Sequence, residues 1–221
     1  MIDYSLYLVT DDPSRYSGNW LDKVVAAVEG GVTCVQYRDT ESDRETQYRR
    51  ILALRDALHG HSTPIIVNND AYLAAAVKAE GVHVGQNDME PGAVRAIVGP
   101  NCEIGLSITN FDQAKASLAF AGTVDAVGIG PVFDARKTKK DASEAIGIEG
   151  LAEIIQFYNS QFSILNSQFS TVAIGGITSE NAAEVLATGV DGLAVVSVFS
   201  QSEDAYDRAK DFSMLFDHRR K

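Results

Sequence analysis

Residues able to bind anions and hard cations recur along the chain, each group close to the end of a short apolar run. Gln36 and Arg38 come first, then Asn68, Asn69 and Asp70, then Gln86 and Asp88, then Ser107 and Thr109, the loop Arg136-Lys137-Thr138-Lys139-Lys140, the pair Gly175-Gly176, and Ser197. Arginine and lysine hold phosphate oxygens through charge-assisted hydrogen bonds, and amide or hydroxyl side chains orient a polar ligand. A carboxylate such as Asp88 offers the oxygen that Mg2+ prefers, alongside oxygens of a substrate phosphate. The same residue also suits the first turn of a helix. Ile174-Gly175-Gly176-Ile177, together with Val196-Ser197, reads as a phosphate site in which exposed backbone N–H groups meet the anion, although Gly-Gly alone also serves a tight turn. The stretch 136–140 carries four of the 19 Lys and Arg residues. It reads as an anion clamp able to close over a phosphate, or as a solvated loop. His83 lies inside an apolar run with no second histidine near it, which favours a packed, hydrogen-bonded ring over a metal ligand. No Ser–His or Cys–His constellation is visible in the spacing.

These groups need a scaffold that brings them to one place. Short apolar runs at 5–9, 33–37, 64–67, 81–84, 103–106, 125–129, 171–174 and 192–195 are rich in Val, Ile, Leu and Ala, as strands covered on both faces are. Between them lie helical spacings: Leu21, Val24, Val25 and Val28 fall at i, i+3, i+4, i+7, and Tyr72, Ala75, Ala76 and Ala79 repeat that pattern. Asp70 and the run Thr178-Ser179-Glu180 sit where helix N-caps belong, and Gly31, Gly81, Gly122 and Gly189 where left-handed C-caps are expected. Eight strand-plus-helix units of roughly 27 residues each predict a closed (β/α)8 barrel, with an open doubly wound sheet as the structural alternative. In such a barrel the polar groups at the strand ends converge on one rim. The expectation is one domain over 1–221, with a surface insertion at about 157–170, where Asn159-Ser160-Gln161-Phe162-Ser163 recurs as Asn166-Ser167-Gln168-Phe169-Ser170.

Composition narrows the partners. The 221 residues carry a formal charge of −11, with 45% hydrophobic and 22% charged residues, which suits a soluble globular chain. That sign disfavours nucleic acid and anionic lipid as partners, since both need a positive field. Cys34 and Cys102 form no metal-binding or redox pair in sequence. Neither a signal peptide nor a membrane-length apolar run is visible, so a cytoplasmic location is expected. The expected partners are small phosphorylated molecules, with a homo-oligomer left open. The surplus carboxylates are expected on the outer helices, away from the anion-binding rim.

Taken together, Leu6-Tyr7-Leu8-Val9-Thr10-Asp11, Val35-Gln36-Tyr37-Arg38-Asp39, Gly81-Val82-His83-Val84-Gly85-Gln86-Asn87-Asp88, Gly128-Ile129-Gly130-Pro131-Val132-Phe133, Thr138-Lys139-Lys140-Asp141 and Ala173-Ile174-Gly175-Gly176-Ile177 resemble the thiamine-phosphate synthase family in content and order. The likeness runs from about residue 5 to about residue 200. It implies a Mg2+-dependent transferase that couples hydroxymethylpyrimidine pyrophosphate to a thiazole phosphate. Pyrophosphate would leave first, and the thiazole nitrogen would capture the resulting pyrimidine-methyl cation. Carried over by the resemblance, Arg38, Ser107 and Lys139 are catalytic, and Gln36, Arg38, Thr40, Asn68 and Ser107 line the pyrimidine pyrophosphate. Lys139 meets the pyrophosphate, Arg136 and Thr138 hold the thiazole carboxylate and phosphate ester, and Gly176, Val196 and Ser197 form the thiazole-phosphate site. Asn69 and Asp88 fall at the metal positions.

The chain departs from the family pattern at three places, one of them the loop after the sixth strand, which reads Asp134-Ala135-Arg136 where Pro-Thr is common and is one residue longer. Thr40 stands where a lysine is usual, and Asn69 where an aspartate is usual, with Asp70 adjacent. Two other functions share the barrel: a thiazole tautomerase-like isomerase and a non-catalytic phosphate-ligand sensor. The isomerase typically has a histidine near Ile108–Thr109, and none is present. Gln36, Arg38, Asp88 and Lys139 favour coupling, whereas Thr40 and Asn69 keep the sensor in view.

Overall fold

A computed structural model describes residues 1–135, 143–165, 169–200 and 202–217. Among them, eight strands pair in parallel and in chain order into a closed barrel: β1 Leu6–Val9, β2 Cys34–Tyr37, β3 Ile65–Asn68, β4 Gly81–Val84, β5 Glu103–Ile108, β6 Ala126–Ile129, β7 Ser170–Ile174 and β8 Gly192–Val195. The ring closes where Leu6, Tyr7 and Leu8 pair with Leu193, Ala194 and Val195. The closed form of the two expected architectures is therefore the one observed.

Strand alternation explains why the runs are almost wholly apolar. Leu6, Leu8, Val35, Val67, Val82, Val84, Ile104 and Leu106 face outward into one core beneath the helices, whereas Tyr7, Val9, Cys34, Ile66, Ala126, Val172 and Ala194 form a second core inside the ring. Each strand thus buries both faces, and a side chain such as Leu8, fully buried, contributes ~2 kcal/mol by leaving water. Three strands run further than the apolar pattern indicates: β7 starts one residue earlier at Ser170, β3 includes Asn68, and β5 continues to Ile108, past Ser107. Asn68 and Ser107 are polar and inward-facing, so they interrupt the hydrophobic signature while the strand goes on, and Ile108 beyond Ser107 packs into the outer core.

The outer layer comprises α1 Trp20–Glu29, α2 Arg44–Ala57, α3 Ala71–Val77, α4 Pro91–Val98, α5 Phe111–Ser117, α6 Gly147–Leu165, α7 Ala182–Ala187, α8 Ser197–Ser200 and α9 Ala205–Asp217. On α1 the spacing holds, with Val24, Ala27 and Val28 buried. On α3 the face is rotated: Ala71, Leu73, Ala74 and Val77 are buried and Tyr72 is 58% exposed. Alanine fits either side of a helix, so the cap decides the phase. Asp70 accepts from the Leu73 amide at 2.9 Å and turns Leu73 and Val77 inward. The left-handed residue ending α3 is Lys78, at φ 52°, while Gly81 begins β4. For α7 the cap position is Asn181, not Thr178–Glu180.

Helix α6 continues through the first copy of the repeated pentapeptide. Phe162 of that copy packs edge-on against Phe169, its counterpart in the second copy, at 4.9 Å, and both rings contact Tyr158. No helix among the described residues is long and apolar enough to cross a membrane.

Closure leaves no space at the β1–β8 seam. A Cβ on Gly192 would lie 1.9 Å from the carbonyl oxygen of Tyr4. Gly192→Ala is expected to destabilise the protein by about 2 to 3 kcal/mol, lowering Tm by roughly 5 to 10 °C in a thermal melt. An unchanged melt would mean that the seam can relax.

Candidate active site at the barrel rim

Gln36 faces inward from β2, 4% exposed, and its Nε2 donates to the Tyr7 hydroxyl of β1 at 2.7 Å. That bond leaves the Gln36 carbonyl oxygen free to meet a donor. Burial pushes the Tyr7 phenol well up, so it stays protonated. Arg38 follows β2, and its backbone is clamped by Thr10: its amide donates to Thr10 Oγ1 at 2.9 Å, and that hydroxyl donates to the Arg38 carbonyl at 3.2 Å. The half-buried guanidinium has no hydrogen-bond or ion-pair partner among the described residues.

Asn68 ends β3 beside His83 of β4 in the ladder. Asn69 comes next, exposed and left-handed at φ 64°, a conformation asparagine tolerates better than most residues, with its amide donating to the His83 carbonyl at 2.7 Å. Asp70 cannot easily replace the aspartate missing at 69. One of its oxygens caps α3 and the other accepts from Arg44 Nε at 2.8 Å. Asp88 is exposed in the turn after β4, where Oδ2 accepts from the Gly85 amide at 2.7 Å. It lies ahead of the α4 cap residue, Glu90, and so does not cap that helix. Thr40 is exposed in the β2–α2 turn.

His83 points into the barrel, and its ring crosses two glycines. A Cβ on Gly105 of β5 would lie 2.3 Å from His83 Nδ1, and one on Gly128 of β6 would lie 3.1 Å from Cε1. Its Nε2 is 3.0 Å from Ser107 Oγ. A Ser–His pair is therefore present after all. It forms between adjacent strands, where separation along the chain gives no hint of it. Gln86 Nε2 donates to the Ser107 carbonyl at 2.6 Å, tying the β4 turn to the same strand.

Across the barrel, the segment after β6 pairs with the end of β7: Val132 donates to the Ile174 carbonyl at 2.9 Å and Phe133 to the Gly175 carbonyl at 3.0 Å. This contact explains the double glycine. Gly175 and Gly176 have φ of 100° and 66°, and a Cβ on Gly175 would lie 2.5 Å from Pro131 Cβ. Asn181 Nδ2 donates to the Gly176 carbonyl at 3.0 Å and pins the turn. Val196 packs onto the inner core, and Ser197 opens α8. Arg136, Thr138 and Lys139 lie outside the described residues.

Charge at the rim differs from expectation. Carboxylates do occur there, but arginines neutralise them: Asp11 with Arg15 at 3.3 Å, Asp39 with Arg50 at 2.6 Å, and Asp70 with Arg44 at 2.8 Å. Burial alone would raise the Asp39 carboxyl. The amides of Ser42 and Glu41, the Tyr37 hydroxyl and Arg50 outweigh that and hold it down at about 2. Its stabilising bonds are thus complete above the unfolded carboxyl value of about 3.9 and are lost as pH falls through about 2. Arg38 and Asp88 keep no countercharge among the described residues. Tyr7, Thr10, Asp39 and Arg50 escape the sequence reading because each acts on a neighbour's side chain or backbone. Inward parity with Val9 is the one sequence signal that points to Tyr7.

No group of three or more His, Cys, Asp or Glu residues is arranged to hold a metal among the described residues. Asn69 and Asp88, on the loops after β3 and β4, carry the kind of oxygen a hard cation takes. A groove of about 710 Å³ beside the rim is lined by Ser197 and by carboxylates including Glu180, Asp204 and Asp211.

The closed parallel barrel, with its polar side chains gathered at the C-terminal strand ends, defines a (β/α)8 enzyme. The chain belongs to the thiamine monophosphate synthase family, whose model matches residues 6–199. It is 41% identical to thiamine-phosphate synthase from Azorhizobium caulinodans over 219 residues, spanning 99% of this chain and 98% of that one. It is 36% identical to thiamine-phosphate synthase from Hydrogenobaculum over 214 residues, spanning 97% and 94%. It is also similar to the solved thiamine phosphate pyrophosphorylase from Pyrococcus furiosus, with a TM-score of 0.81 at 30% identity, over 98% of this chain and 96% of that one.

The ring across two glycines yields a direct test. Gly105→Ala should displace the imidazole from Ser107 while the barrel stays folded, at a cost of about 1 to 3 kcal/mol. The His83 ring resonances should shift; if they do not, the ring has room to spare.

Proposed function

We propose that this chain is a thiamine-phosphate synthase, joining hydroxymethylpyrimidine pyrophosphate to a thiazole phosphate with release of pyrophosphate. Beyond membership of the family, the observation that carries this reading is the charge arrangement at the rim. Three carboxylates are neutralised by arginines, while Arg38 and Asp88 stand open on neighbouring parts of it. Such a rim can take a pyrophosphate and its metal despite a chain charge of −11.

In this reading the bond from the pyrimidine methylene carbon to the pyrophosphate oxygen breaks, and the electron pair leaves with pyrophosphate. The thiazole nitrogen then gives its lone pair to the carbon. No side-chain nucleophile is needed. The two cysteines are buried, and burial raises both thiols, with Cys102 pushed up to about 11. Gln36 and Asn68 orient the pyrimidine, with Thr40 at the edge of that subsite. Arg38 and Lys139 stabilise charge growing on the leaving group, and Ser107, fixed by His83, donates or accepts beside it. Gly176, Val196 and Ser197 hold the thiazole phosphate, with Arg136 and Thr138 on its carboxylate and ester. Asn69 and Asp88 would hold Mg2+, which when bound neutralises pyrophosphate charge. The chain works as one domain in the cytoplasm.

The test is an assay with both phosphorylated precursors and Mg2+, following thiamine phosphate and pyrophosphate. Product is expected from the wild type, and its absence alongside intact thiazole-phosphate binding would support the sensor reading instead. Arg38→Ala and Lys139→Ala should each lower kcat/KM by about 10²- to 10³-fold. Asp88→Ala should shift the Mg2+ titration to much higher concentration; an unchanged titration would remove Asp88 from the metal site.

A further inference from the structure

Arg38 is a long side chain with several rotatable bonds, so an unanchored backbone would leave its guanidinium poorly aimed. The residue after it is anchored four times. Asp39 Oδ1 accepts from the amides of Glu41 at 3.1 Å and Ser42 at 3.0 Å, and Oδ2 accepts from the Tyr37 hydroxyl at 2.9 Å and Arg50 at 2.6 Å. The carboxylate side chain is fully buried. Gln47 Nε2 closes the turn by donating to the carbonyls of Asp39 at 3.1 Å and Ser42 at 2.8 Å. Tyr37 is itself held between strand and helix, its ring 6.2 Å from that of Trp20. With Thr10 clamping Arg38 from the other side, the backbone on both flanks of the arginine is fixed.

The charges follow the same logic. A bare carboxylate next to Arg38 would draw the guanidinium to itself and repel a pyrophosphate. Arg50 takes up that charge from the helix side and leaves Arg38 to the rim.

Building on the reading of Arg38 as a pyrophosphate contact, we propose that Asp39 is a positioning residue for it. Its carboxylate fixes the β2–α2 turn so that Arg38 meets the leaving group, and Arg50 is the countercharge that makes an aspartate tolerable there. Neither residue touches substrate. Asp39→Asn separates this role from simpler ones. If only charge mattered, removing a negative group near the site would tighten pyrophosphate binding. If the residue served only the fold, both substrates would suffer alike. Asparagine keeps the shape but sets an N–H group against donors, so the turn loosens.

The experiment is steady-state kinetics with both substrates, together with product inhibition by inorganic pyrophosphate. For Asp39→Asn, the KM for the pyrophosphorylated pyrimidine and the pyrophosphate inhibition constant should each rise about tenfold, with the thiazole-phosphate KM within about twofold of wild type. Arg50→Met should weaken pyrophosphate in the same direction, more at low ionic strength than at high. Arg50→Lys should recover part of the loss. Tighter or unchanged pyrophosphate binding in Asp39→Asn, or an equal rise in both KM values, overturns the proposal. Should Asp39→Asn fail to fold, Arg50→Met decides: unchanged pyrophosphate inhibition overturns it. Absence of product from the wild type would instead overturn the functional reading beneath it.

Discussion

Parallel pairing closed into a ring is the constraint on which the molecule depends. A parallel strand cannot turn straight back, so each must be followed by a crossing helix, and every strand then leaves the ring at the same end. Closure of β1 on β8 makes that end a rim, bringing residues as distant in the chain as Arg38 and Ser197 onto one surface. The tightest points of the ring carry the residues that permit closure: Gly192 under the Tyr4 carbonyl, and Gly130 against the Ile174 carbonyl. Ring geometry also sets the local contacts of the site. Gln36 meets Tyr7 because β1 and β2 are neighbours, and His83 meets Ser107 because β4 and β5 are.

Electrostatics at the rim is managed by pairing more than by exclusion. An acidic chain could keep its carboxylates far from an anion site, yet Asp11, Asp39 and Asp70 are all near it. Each does structural work there: Asp39 gathers the β2–α2 turn, Asp70 caps α3, and Asp11 accepts from the Asp12 amide. An arginine beside each removes the long-range field while the short-range hydrogen bonds remain. On the β1–β4 side of the rim, a cation at Arg38 and a metal-type oxygen at Asp88 are then left without a countercharge among the described residues.

How far the sequence could be read depended on the kind of signal. The strands were legible because both faces are apolar, and the barrel because eight such units fill the chain. Helix phase was legible on α1, where Val and Leu mark one side, and illegible on α3, where alanines fit any side and Asp70 settles the matter. The cap of α3 is Lys78 in a left-handed turn, a place where glycine would have been the natural guess. Rim residues such as Asn68 and Ser107 were visible as polar residues near strand ends, but their inward direction follows from strand parity. Partners across strands, Tyr7 with Gln36 and His83 with Ser107, follow only from the ladder register. The sequence shows the types of these residues, and the register determines which of them meet.

The imidazole lying across Gly105 and Gly128 bears on how this barrel can diverge. One side chain from β4 occupies space that β5 and β6 would otherwise fill with their own. Any lineage that enlarges either glycine must shrink or move the histidine, and one that shrinks the histidine first opens a void. Single steps across this floor therefore pass through a clash or a cavity, and its three positions should drift as one unit. Substrate range in such a barrel is free to change at the loops long before it can change at the floor.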